Sequence, residues 1–123
     1  MRWVWATVTG LALALVTSVA TVLVLGRMWG DCEVGGAGSG LSLLFIYGPV
    51  IWFGTAVVAA GTFLAVDWRL PRAVAMLAAV VAAIGIAWIS IAHVHNPGGD
   101  YPSTSASCDD ENVPDWWPDL IPI

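Results

Sequence analysis

Two cysteines, two histidines and a cluster of carboxylates are the side chains in this sequence with the widest chemical reach. Cys32 and Cys108 could form a disulfide, exchange with other thiols or ligate a soft metal. His93 and His95 stand as His-Val-His. With nearby carboxylates or a thiolate they make a weak metal candidate, since neutral imidazole is a common ligand. Residues two apart leave a helix on different sides and converge only on an extended chain. The competing reading is a polar helix end whose histidines reach free carbonyls. Asp109-Asp110-Glu111, followed by Asp115 and Asp119, invites calcium, but the spacing lacks the alternating ligands and central glycine of an EF-hand loop. A solvated acidic segment that stands off anionic lipid headgroups accounts for it better. Gly36-Ala37-Gly38-Ser39-Gly40 has neither the lysine of a phosphate loop nor a glycine two residues before the serine, as a nucleophile elbow needs. It reads as a flexible connector. No motif reaches an enzyme assignment, so the expectation is a non-catalytic protein without cofactor or bound metal.

The elements that position these residues follow from composition. Of 123 residues 59% are hydrophobic and 11% are charged, against about 25% charged in a soluble domain. The charges cluster and leave apolar runs from Trp3 to Leu25, Leu41 to Ala65 and Pro71 to about Ala92. Each is long enough for the ~20 apolar residues that a helix needs to cross a bilayer. The fold class is an all-α membrane protein with spans near 3–28, 41–65 and 71–93. The membrane region covers residues 1–95, and an irregular Pro/Asp/Trp-rich tail covers 96–123. Ser18-Val19-Ala20 faintly resembles a signal-peptide cleavage site, but the run continues through Leu25, beyond the usual ~7–15-residue core, so an uncleaved helix is expected. Pro49 predicts a kink or local unwinding in the second span. Pro71 suits the first turn of the third.

The arginines give the orientation. Arg2, Arg69 and Arg72 share one side of such a three-span chain and Arg27 lies alone on the other. The positive-inside rule then places the N-terminus and the elbow at 66–72 in the cytoplasm, with the first loop and the tail outside. Asp67 and the elbow arginines are expected simply to solvate an interface turn. Cys32 and Cys108 fall together in the oxidising compartment, which predicts a disulfide between them, worth about 4 kcal/mol by loop-closure entropy.

Small residues mark the expected helix contacts: Gly10, Ala14 and Ser18 in the first span, Gly54 and Gly61 in the second, Ala75, Ala79, Ala83 and Ala87 in the third. Trp52, with Phe45, Tyr47 and Phe53, reads as packing against a neighbouring helix. Between their flanking charges the runs hold no Asp, Glu, Lys, Arg or His, which argues against a proton or ion pathway. A net charge of −5 without a basic patch argues against nucleic acid. Abundant Ala, Val, Gly and Trp with neither Lys nor Gln suggests the coding bias of a high-GC bacterium, and so a bacterial plasma membrane. The expected function is an accessory or assembly subunit of a larger membrane complex. Its partners are the lipid bilayer and either membrane-protein subunits or further copies of itself. Trp116, Trp117 and Pro118 are the candidate docking residues of the tail, whose prolines favour an extended course. The alternatives are a homo-oligomeric channel, holin-like or small transport protein, and a redox or metal-binding membrane protein.

Overall fold

Backbone polar groups have no water to bond with in a bilayer core, so a chain with this hydropathy satisfies them within helices. The computed structural model describes residues 1–96 and 103–123. Among them α1 runs Arg2–Asp31, α2 Ala37–Ser42, α3 Gly48–Asp67 and α4 Arg72–Val94. A π-helical turn, Leu43–Tyr47, joins α2 to α3, so Gly38–Asp67 is one continuous helical rod. Among the described residues three rods are therefore long and apolar enough to cross a membrane, at 30, 30 and 23 residues. At 1.5 Å per residue the shortest spans roughly 35 Å, enough for a ~30 Å hydrocarbon core. Only 39%, 28% and 22% of their most apolar windows are buried within the protein. Most of each rod therefore faces outward.

The glycine-rich stretch departs from the expected flexible connector. Helix α1 keeps Gly30 and Asp31, and α2 begins at Ala37. A cap overrides glycine's poor helix propensity of about 1 kcal/mol: the Gly36 amide donates to Ser39 Oγ at 3.0 Å, and the Ser39 amide returns to the Gly36 carbonyl at 2.9 Å. Only Cys32–Gly36 remains as a link, turning through positive φ at Glu33 (51°) and Gly35 (83°). Asn96-Pro97-Gly98-Gly99-Asp100 reads in the sequence as turn chemistry, and from 97 onward it lies outside the described residues.

Pro49 perturbs its rod one turn upstream. Its ring would crowd the carbonyl four residues back, in an unbroken α-helix. The helix widens there instead, and the Gly48 amide donates five residues back, to Leu43. The Gly48 carbonyl also accepts the Ser18 hydroxyl at 3.0 Å, tying this end of the bulge to α1.

Helices α1 and α3 run antiparallel, as the pairs Arg2 with Asp67, Gly10 with Ala56 and Ser18 with Gly48 require. A Cβ on Gly10 would sit 2.8 Å from the Ala56 carbonyl oxygen and 2.9 Å from Ala60 Cβ, so the two backbones touch there. Ala14 and Ser18 are buried beside it. On α4, Ala75, Ala79 and Ala83 are buried and Ala87 is half-buried. With Ala6, Ala59 and Phe63, Ala75 and Ala79 make the core at the elbow end. Gly54 and Gly61 make no helix contact within the chain, since a Cβ on either meets nothing within 4 Å. The inner stripe of α3 is Gly48, Ile51, Thr55, Ala59 and Phe63. Gly54 lies one residue off that stripe, and Gly61 lies two residues off, about 200° round the helix. The expected aromatic group also divides: Tyr47 turns in against Trp29, with centroids 6.5 Å apart, Trp52 lines a groove with Ser18, Val19 and Val22 of α1, and Phe45 and Phe53 face outward.

The elbow is a clasp and not a solvated turn. The Asp67 side chain is 6% exposed and lies 3.6 Å from Arg2 Nε and 3.8 Å from Arg72 Nε. One carboxylate thus joins the ends of all three rods.

Candidate functional site at the disulfide end

The opposite end carries the tail. Cys32, the residue that closes α1, bonds Cys108, with Cα atoms 5.5 Å apart. The Ser103 hydroxyl donates to the Cys32 carbonyl. The Cys32 sulfur also touches the Asn112 carbonyl oxygen at 3.3 Å. This is a contact and not a hydrogen bond, because a bridged sulfur carries no proton.

Around the bridge the tail folds on itself. A pair of backbone bonds, Asp109 to Val113 at 3.1 Å and Asp115 to Ser107 at 3.0 Å, sets Cys108 opposite Pro114. Asp109 Oδ1 accepts the amides of Glu111 at 3.0 Å and Val113 at 2.8 Å, an Asx-type arrangement that fixes the tip. Asn112 closes the tip at φ 63° and is buried; asparagine tolerates this left-handed conformation better than most residues. The prolines exclude helix and strand as expected, but the course is a series of turns and not an extended segment. The amide of Trp117 bonds the Pro114 carbonyl, and that of Ile121 bonds Pro118.

Indoles fasten this cap to the rods. Trp29 Nε1 lies 3.1 Å from the Val94 carbonyl and 3.0 Å from that of His95, joining the end of α1 to the last turn of α4. Trp88 Nε1 donates to Pro122 at 2.7 Å. Trp116 Nε1 donates to Asp31 Oδ2 at 2.7 Å, while the Arg27 guanidinium lies over its ring at 4.9 Å and pairs with Asp31 at 3.5 Å. Trp117 donates to Ile121 at 2.7 Å. It packs with Ile123 against the core of Leu25, Met28, Trp29, Leu43 and Ile91.

Both indole N–H groups of the expected docking pair, Trp116 and Trp117, are therefore engaged within the chain. Pro118 is exposed beside them. The cap turns Asp109, Asp110, Glu111, Asp115 and Asp119 outward, together with Leu120 at 94% exposure. A cleft of about 310 Å³ opens among Asp109, Asp115, Trp117 and Asp119. Such a surface can meet a basic one. The cysteines, joined to each other, present no nucleophile. His93 Nδ1 lies 2.9 Å from the Ile89 carbonyl oxygen and His95 Nδ1 lies 3.0 Å from that of Ala92. The histidines thus bond their own helix end, and no group of three potential metal ligands occurs among the described residues.

Sequence reasoning missed Trp29, Trp88, Asp31, Asn112 and Asp67 as fastening residues. The available signal was the position of each tryptophan near a span end, where a buried indole seeks an acceptor. Replacing Trp29 with phenylalanine keeps a ring in the core but removes the donor to Val94 and His95. The expected cost is about 1–2 kcal/mol, read as faster amide exchange confined to the last turn of α4 and the cap.

No family model, curated protein or solved structure matches this chain.

Proposed function

We propose that this chain is a non-catalytic accessory or assembly subunit of a larger membrane complex, docking through its disulfide-tied cap. In this reading it sits in a bacterial plasma membrane, with the N-terminus and elbow in the cytoplasm and the cap outside. The observation that carries the proposal is the outward face of the cap. Acidic side chains and the 94%-exposed Leu120 stand on a segment held by a covalent bridge and several indole hydrogen bonds. Rigid presentation lowers the entropy lost on binding, and an acidic rim around an apolar side chain suits a basic partner with a small apolar pocket. The outward faces of the rods supply a second contact within the bilayer.

The test is purification of the tagged chain in mild detergent from its own cells, alongside an Asp119→Lys, Leu120→Asp double variant. A stoichiometric partner retained by the parent chain and lost from the variant is expected. A chain that runs alone as a monomer would sink the proposal. Sidedness is tested separately on intact cells. A membrane-impermeant maleimide should label Cys32 and Cys108 only after reduction, and labelling that also needs permeabilised cells would reverse the orientation.

A further inference from the structure

We propose that the cleft at the elbow end binds the headgroup of an anionic glycerophospholipid. The cleft, about 660 Å³, opens between the first turn of α1 and the last turn of α3, lined by Arg2, Trp3, Leu64, Ala65, Trp68 and Arg69. Its lining is part apolar and part cationic. Leu64 and Ala65 belong to the apolar rod and suit the start of an acyl chain, whereas Arg2 and Arg69 lie at the rod ends and suit a phosphate. Trp3 and Trp68 form the walls at 73% and 76% exposure, and indoles favour the headgroup level of a bilayer.

Charge selects the occupant. Three arginines against Asp67 leave the side chains of this end with two net positive charges. Arg69 forms no ion pair among the described residues. Arg2 meets Asp67 at 3.6 Å yet stays 56% exposed, and its guanidinium lies 5.8 Å from the centroid of the Trp68 ring. A guanidinium has five donors in a planar fork, more than one carboxylate oxygen uses, and that fork matches phosphate geometry. The far end is acidic, with Asp31, Glu33 and the carboxylates of the cap. An anionic lipid is therefore attracted to one end only. The inference rests on the membrane-spanning reading, and it is independent of the docking proposed for the opposite end.

Native mass spectrometry of the full chain in detergent tests it, with dioleoyl phosphatidylglycerol and dioleoyl phosphatidylcholine as competing probes. The expected result is preferential retention of phosphatidylglycerol, falling roughly fivefold for each arginine removed in Arg69→Gln and in the Arg2→Gln, Arg69→Gln pair. Arg27→Gln, at the far end, should leave retention unchanged. The single Arg69→Gln variant breaks no ion pair, so it keeps the test valid even where loss of Arg2 disturbs the fold. Equal retention of the two lipids, or retention indifferent to Arg69→Gln, would overturn the proposal. Displacement of the lipid by millimolar inorganic phosphate would overturn it too, identifying a site for free phosphate. A chain that binds phosphatidylglycerol but captures no partner refutes the docking reading alone.

Discussion

Replacing Gly10 with leucine is expected to force α1 and α3 apart and to destabilise the bundle by about 2–3 kcal/mol, the upper part of the overpacking range. The reason is local: even the first carbon of a side chain would lie 2.8 Å from the Ala56 carbonyl and 2.9 Å from Ala60 Cβ. The nearest of these is backbone, which cannot swing aside. Alanine at Gly10 should already be harmful. Gly54→Ala and Gly61→Ala supply the contrast, because their Cβ positions are open and alanine gains up to about 1 kcal/mol of helix propensity over glycine. Unfolding in a graded detergent mixture would separate the cases. Equal tolerance at Gly10 and Gly54 would mean that the close approach of α1 to α3 is not a feature of the protein.

Loss of the Cys32–Cys108 bridge is the second large effect. Its 76-residue separation gives about 4 kcal/mol in the loop-closure treatment, or a fall in Tm on the order of 10 °C for a domain of this size. Cys108→Ser is the better variant, because Cys108 is half-buried whereas Cys32 is wholly buried. The damage should be uneven. The core of Ala6, Ala59, Phe63, Ala75 and Ala79 lies at the elbow end, while Trp117 and Ile123 pack on the separate core at the cap. Hydrogen exchange should therefore rise across 103–123 first, with the rods keeping most of their protection. A melting curve unchanged by reductant would show that the indole contacts alone hold the cap.

The rods were legible in the sequence because each apolar run exceeds a span and ends in charge or proline. The positions of Cys32 and Cys108 beyond rod ends on one side made their pairing legible as well. What escaped were the contacts decided by the rotation of one rod against another. Gly54 and Gly61 have the composition of a helix contact but the wrong azimuth, which only the stripe from Ile51 to Phe63 reveals. Asp67 resembled any interface carboxylate until Arg2, distant in the chain, was placed beside it. The tail was misjudged for another reason. Prolines declare what a segment cannot be, and the folding of 103–123 depends on acceptors supplied by Asp31 and by the tail's own carbonyls. Ser39, three residues beyond Gly36, was the overlooked sign that the glycine-rich stretch had a helix to start.

The bridge has a consequence for biogenesis. It joins the residue that closes α1 to one well beyond α4, so the covalent ring encloses the whole of both later rods. The ring can close only after Cys108, beyond the last of these rods, has been synthesised. Chains arrested before Cys108 cannot form this bridge. Closure of the ring thus separates chains that have reached Cys108 from shorter ones.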